Sequence, residues 1–266
     1  MEKIGIIIPA LNCLEYSKKT IDSIKTKSPY ELIFIDNGST DNTKKWLKTQ
    51  NFNKIIDPKV SGLAAVWNLG IVKARDLGCS LFLILNNDII LSPSTIDNLV
   101  KKMSTDKYIM VTGVNQHEGC DKPEDMLGKN IEYKENETEN EHPDFSCFMI
   151  NNNTIDKIGW FDENFAIAYF EDNDYHGRIA LSGEKAISTI SAIYYHFESK
   201  TVKNNPHLKK IITEAFKMNK EYFKEKWGSC PLGDVPKMRS GYWKNPFNDP
   251  KKDYKNIISN YSQGIF

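Results

Sequence analysis

IGIIIPA, residues Ile4 to Ala10, is an unbroken apolar run closed by a proline-alanine pair. A strand with no polar face must be covered on both sides, which is the condition of a parallel sheet with helices on each face. Working outward, the pattern recurs. ELIFIDNGST carries a second buried strand over Leu32 to Ile35, KIID is a short third one, and LFLILNNDIIL is another that runs into Asn86, Asn87 and Asp88. Helical spacing separates them. EYSKKTIDSIKT repeats through Tyr16, Ile21 and Ile24. DNTKKWLKTQ follows Ser39 and Thr40, either of which can cap it. GLAAVWNLGIVKARDLG is alanine-rich with Gly78 as a stop signal, and SPSTIDNLVKKM has a serine cap and an early Pro93. Alternating strand and helix predict an α/β fold with a Rossmann-like, mostly parallel central sheet flanked by helices. The ligand site of such a sheet lies beyond the carboxyl ends of its strands. The polar residues collect there: Asn12, then Asp36, Asn37 and Gly38, then Asn86, Asn87 and Asp88.

The second half is less regular. Glu118 to Glu141 holds nine acids against three lysines with few large apolar residues, and reads as a mobile or peripheral loop. DFSCFMIN is a strand, TIDKIGWF a short helix ending at Gly159, KAISTI a short strand and AIYYHFE another apolar run. An amphipathic helix spans Pro206 to Gly228, and the Pro-, Gly- and aromatic-rich remainder reads as an extended tail. The expected organisation is one domain over 1–228, with a nucleotide-binding half to about 105 and an acceptor half from 106. A tail, 229–266, packs on it.

Charge narrows the function classes. Lys plus Arg number 35 and Asp plus Glu 35, and no basic cluster is dense enough to track a phosphate backbone, so nucleic acid is not an expected partner. The five cysteines, Cys13, Cys79, Cys120, Cys147 and Cys230, are scattered, with no CxxC pair. That argues against a disulfide framework or zinc site and for a reducing compartment. Met1 leads straight into a strand-like run, and no apolar stretch reaches the roughly 20 residues of a membrane span. The expected location is cytoplasmic, with contact at the inner face of a membrane left open.

Three constellations carry chemistry. Asp36 at a strand end can accept a hydrogen bond from a pyrimidine imide, and Gly38 lets backbone approach a ligand; a turn with a helix cap accounts for the same residues. Asp88 is a hard oxygen ligand suited to Mg²⁺ or Mn²⁺ on a diphosphate, or else a polar turn residue. His196, in YYHFES, is a packed core histidine or an imidazole ligand to the same metal. In FAIAYFEDNDYHGRIALSG, Phe165 to Gly183, Glu171, Asp172 and Asp174 crowd a helix start. Capping by Asp172 or Asn173 explains one acid. A general base explains why an aromatic segment delivers them.

IIIPALN, ELIFIDNGSTDNT, GLAAVWNLGI, LILNNDIIL, IGWFDENF, YFEDNDYHGRI and YYHF occur in the order seen in family-2 inverting glycosyltransferases of the GT-A fold, and the chain resembles that family from about Lys3 to Glu198. The resemblance implies a nucleotide-diphosphate sugar donor (UDP or dTDP), Mn²⁺ or Mg²⁺, and one-step transfer with inversion to a hydroxyl of a glycan, lipid-linked glycan or polysaccharide. It implies Asp36 at the base, with Pro9, Ala10, Asn12, Gly38, Asn68 and Asn87 on the donor side. It implies Asp88 and His196 at the metal, Asp172 as base with Glu171 orienting, and Trp160 and Phe161 lining the acceptor side. Asn86 replaces the first acid of the Asp-X-Asp motif, and this Asn-Asn-Asp form is similar to a rhamnosyltransferase-like subgroup. Peripheral membrane contact through a lipid-linked acceptor and a homodimer stay open. A nucleotidyltransferase would carry a glycine-rich basic loop where PALNCLEYSKK stands, a dehydrogenase a GxGxxG. A non-catalytic nucleotide- or sugar-binding module would bind donor without turnover.

Overall fold

The computed structural model describes residues 2–58, 60, 62–135, 137, 143–197 and 206–228. The strands are β1 (Ile4–Ala10), β2 (Tyr30–Asp36), β3 (Asn53–Ile56), β4 (Leu81–Leu85), β5 (Ile89–Leu91), β6 (Met110–Asn115), β7 (Cys147–Asn151) and β8 (Ala186–His196). The helices are α1 (Leu14–Asp22), α2 (Thr43–Leu47), α3 (Leu63–Asp76), α4 (Thr95–Met103), α5 (Asn152–Ile158), α6 (Glu171–Ser182) and α7 (Pro206–Trp227). The strands form one sheet ordered β3-β2-β1-β4-β7-β6-β8-β5. From β3 to β4 all pairing is parallel. β7 runs antiparallel to both β4 and β6, β8 is parallel to β6, and β5 is antiparallel to β8.

The apolar runs of β1 and β2 split by parity between two cores. Ile4, Ile6, Ile8, Leu32 and Phe34 point to one face, while Ile7, Ile33 and Ile35 point to the other. Each fully buried side chain of this kind contributes about 1.5–3 kcal/mol, so a one-residue slip would strand a whole face. Helix α3 lies close on β1 because two glycines permit it. A Cβ on Gly5 would sit 2.4 Å from that of Ala74, and one on Gly70 would sit 2.4 Å from Ile7.

Several sequence expectations are corrected. LFLILNNDIIL is two strands, because the Asn86–Asp88 turn carries the chain from β4 to the far sheet edge, where β5 pairs with β8. KAISTI and AIYYHFE are one strand, β8. Neither Ser39 nor Thr40 caps α2: Asp41 accepts the Thr43 N–H, while the Ser39 hydroxyl accepts the Asn12 N–H. Ser94 likewise accepts the Ile131 N–H without capping α4. The described part of the acidic segment is anchored. A 3-10 turn at Pro123–Gly128 buries Met126 against Ile90 and Ile193, and Lys102 pairs with Glu137 at 3.2 Å in a buried setting. The tail over 229–266 and its proposed packing lie outside the described residues, as do His142 and the side chain of His207. No helix among the described residues is long and apolar enough to cross a membrane.

Candidate active site

Strand register assembles the site. Ala10, Asp36 and Ile56 are level at the carboxyl ends of β1, β2 and β3. Leu85 pairs with Cys147, so the Asn86 N–H reaches the Ser146 carbonyl at 2.8 Å, and the Asp144–Ser146 turn joins the same rim. Ile89 pairs with His196, which sets Asp88 beside that histidine: Asp88 Oδ1 lies 3.1 Å from His196 Nε2. Asn115 accepts the His196 backbone N–H at 3.1 Å and the Asp88 carbonyl accepts the Phe197 N–H at 3.0 Å, so the pair is fixed by backbone.

A cavity of about 850 Å³ opens at this rim. Pro9, Ala10, Asn37, Gly38 and Asp57 line one part of it, Asn86, Asn87, Asp88 and His196 another, and Asp144, Tyr169, Glu171 and Asp172 a third. The Asp88–His196 pair and the acidic pair thus face one space.

The acids sit where an unusual turn enters α6. Ile167, Tyr169 and Phe170 have φ of 62°, 81° and 76°, left-handed values that cost about 1–3 kcal/mol each for residues other than glycine. Phe170 is the N-cap and gives no side-chain cap; Asp172 Oδ1 accepts the N–H of Asn173 at 2.8 Å. Capping therefore does not account for the three acids. Glu171 is buried and its Oε2 has no partner. Burial, with the charges of Asp172 and Asp174, pushes its carboxyl up to about 8. Asp172 is partly exposed to the cavity; desolvation in its wall, with Asp144 adding charge, pushes it up against backbone N–H bonds that pull it down.

Not every expected residue faces the cavity. Asn68 is fully buried and donates to the Phe161 carbonyl and to Glu163, at 2.9 and 3.0 Å, so both its donors are spent on the segment before α6. Asn68 does not line the cavity. Asn12 ties two loops together by accepting the N–H groups of Thr40 and Asp41. Asp36 is also behind the wall: Oδ1 accepts the Ser39 N–H, Oδ2 is buried without a partner, and burial raises its pKa. Phe161 is core, stacked on Tyr175 at 4.0 Å, and Trp160 lies 5.1 Å from the Arg75 guanidinium; neither is among the residues that line the cavity.

Sequence reasoning missed Asp57, Asp144 and Tyr169. Asp57 had a signal, since it follows KII as Asp36 follows LIFI, each an acid closing a strand. Asp144 opens the strand segment DFSCFMIN without any pattern that separates it from other loop acids.

Sheet order and cavity define a GT-A α/β architecture. Residues 5–171 match Glycosyl transferase family 2, and the chain belongs to that family. Solved structures agree in fold. A mannosyltransferase, PcManGT from Pyrobaculum calidifontis in complex with GDP-Man and Mn²⁺, superposes with TM-score 0.56 at 17% identity over 81% of this chain and 64% of its own. GalNAc-T7 with UDP, GalNAc and Mn²⁺ gives 0.57 at 14%, over 74% and 44%. S. aureus TarS 1-349 gives 0.53 at 14%, over 84% and 66%. The chain therefore spans less than two thirds of each of them. No curated protein matches it in sequence.

Proposed function

We propose that the protein is an inverting glycosyltransferase, moving a sugar from a nucleotide-diphosphate donor to a hydroxyl of a glycan, lipid-linked glycan or polysaccharide. One observation carries the reading: Asp88–His196 and Glu171–Asp172 line the same cavity. The neighbours' GDP-Man, UDP and Mn²⁺ support the donor class. The Asn86-Asn87-Asp88 form favours dTDP-rhamnose or a UDP-hexose.

Among the described residues no group of three or more His, Cys, Asp or Glu side chains is arranged to hold a metal ion. The Asp88–His196 pair still fits one, because Mg²⁺ and Mn²⁺ at nucleotide sites take one or two protein ligands and fill the rest with phosphate oxygens and water. When bound, the ion neutralises charge on the departing diphosphate. Asn37 and Gly38 line the nucleotide end, with Asp36 buttressing that wall from behind through the Ser39 N–H. Asp172 takes the proton of the acceptor hydroxyl as its oxygen attacks the anomeric carbon. The carbon–phosphate-oxygen bond breaks, and the nucleoside diphosphate leaves with the electron pair. Glu171, largely protonated at neutral pH, orients the acceptor as a hydrogen-bond donor and spares the site a second negative charge.

The test pairs the wild type with Asp172→Asn on a panel of UDP, dTDP and GDP sugars with Mn²⁺. Nucleoside diphosphate release should fall about 10²–10⁴-fold while calorimetric binding of the donor stays within error. Equal release by both proteins removes Asp172 as the base. Donor binding without release by the wild type favours the binding-module alternative.

A further inference from the structure

Glu171 and Asp172 owe part of their placement to backbone. The N–H groups of Tyr169 and Phe170 draw down the pKa of the Glu171 and Asp172 carboxyls respectively, against the larger push of burial. Each N–H shares a rigid peptide plane with the carbonyl before it. The plane facing Glu171 carries the Ala168 carbonyl on its other side, and the plane facing Asp172 carries that of Tyr169.

Those two carbonyls are held by one side chain. Asn219 Nδ2, on α7, lies 3.0 Å from the Ala168 oxygen, 3.0 Å from that of Tyr169 and 2.8 Å from that of Ala166, while its Oδ1 accepts the Ala166 N–H at 2.8 Å. Two amide protons shared among three acceptors form a bifurcated grip, and Asn219 is 1% exposed. The segment it grips has three left-handed residues in four positions, so it does not hold its shape alone. On the opposite side the Leu63 N–H bonds the Ile167 carbonyl at 2.8 Å, and Gly62 meets the segment so closely that a Cβ would lie 2.9 Å from the Ile167 nitrogen. Asn219 also lies beyond the family match, which ends at 171.

We propose that Asn219 is a positioning residue for the Glu171–Asp172 pair, clamping the left-handed turn over 166–170 that delivers both carboxyls to the cavity. The proposal rests on the glycosyltransferase reading for its catalytic consequence, but the clamp itself does not.

The experiment therefore has a substrate-free arm and a turnover arm, with Asn219→Ala, the milder Asn219→Ser, and Met218→Ala as control. Met218 is 65% exposed on the same helix. In the free proteins, hydrogen exchange should quicken at least about tenfold at the amides of 166–172 in Asn219→Ala, less in Asn219→Ser, and not at all in Met218→Ala. The amides of β1 and β4 should keep their protection in all three. In the turnover arm, with whichever panel sugar the wild type consumes, kcat should fall about 10²-fold with donor KM unchanged. The acid limb of the pH–rate profile should also move to higher pH. Backbone N–H dipoles aimed at a carboxylate lower its pKa, so a turn that swings them away leaves Asp172 more easily protonated beside Asp144 and Glu171, with Asp174 adding charge behind Glu171. Unchanged exchange at 166–172 overturns the clamp. Faster exchange with unchanged kcat and pH profile overturns the positioning role. If Asn219→Ala does not fold, Asn219→Ser decides by the same readings. A wild type that consumes no sugar of the panel counts against the glycosyltransferase reading and takes the positioning role with it, while the exchange arm still decides the clamp.

Discussion

Glu171 and Asp172 are neighbours on one helical turn, yet their surroundings give them different work. Asp172 reaches the cavity and keeps N–H partners, so it can cycle between protonation states. Glu171 is almost wholly buried in the cavity wall, with one oxygen unpartnered and two acids nearby. A carboxyl whose folded pKa lies above its unfolded value contributes stability that is fully present below about pH 4.5 and is lost as pH rises through the folded value, here about 8. Thermal melts should therefore show wild-type Tm falling between pH 5 and 8.5, and Glu171→Gln should flatten that slope. Asp172 and Asp36 are raised in the same sense, so some slope remains. Parallel Tm curves for the two proteins would show that Glu171 is not the strained carboxyl. At this scale the acids were legible in the sequence, because EDND at a helix start exceeds what capping needs. The turn before them was not legible. Nothing in FAIAYF marks Ile167, Tyr169 and Phe170 as left-handed, since that conformation is imposed by Asn219 and Leu63 from distant parts of the chain.

Elements were legible where burial sets the pattern. β1, β2 and α3 read directly: a short apolar run with no polar face has to be covered on both sides, and a long alanine-rich run with a single internal glycine favours helix. The LFLILNNDIIL stretch misled for a physical reason: both of its halves are fully buried, so composition cannot show that the Asn86–Asp88 turn changes the strand's place in the sheet. The packing of α7 was also invisible, although its amphipathic pattern was plain. It is seated on α6 by Gly177, where an added Cβ would lie 2.6 Å from the Trp227 ring, and that ring is buried and stacked on Phe223. The indole cannot retreat without breaking its 2.9 Å hydrogen bond to Asp174. Gly177→Ala gains helix propensity of up to about 1 kcal/mol, but overpacking a rigid core costs about 1–3 kcal/mol. Urea unfolding should show a net loss of about 1–2 kcal/mol. A gain in stability would mean that α7 is not locked against α6.

For the whole molecule, the question is what holds the Glu171–Asp172 side of the cavity to the sheet. The two main cores lie on the faces of the sheet, while α7 joins through a separate cluster of Phe165, Phe170, Phe223 and Trp227. Beneath it runs a buried charge network. Lys226 Nζ lies 2.7 Å from Asp162 and 2.5 Å from Asp174, and Arg178 bonds Asp174 at 3.0 Å. Burial alone would raise the Asp162 carboxyl, but the Lys226 charge and its hydrogen bond, with bonds from Asn164 and Tyr222, hold it below the ordinary range. Asp162, Asp174 and Lys226 are far apart in sequence and carry no pattern that pairs them, so this strut could not be read before the fold was known. Its energetics are asymmetric. Replacing a buried pair by apolar groups is often neutral, whereas removing one partner leaves a desolvated charge and costs about 3–5 kcal/mol. Lys226→Met should lose about that much, because Asp174 keeps Arg178 and Trp227 but Asp162 keeps only neutral donors. Adding Asp162→Asn to it should recover a large part, so the two changes are strongly non-additive in a double-mutant cycle read by denaturant unfolding. Since Lys226 and Asn219 lie two turns apart on α7, Lys226→Met should also quicken exchange at 166–172. Additive losses, or a quiet 166–172 segment, would show that α7 holds that turn without the help of its buried lysine.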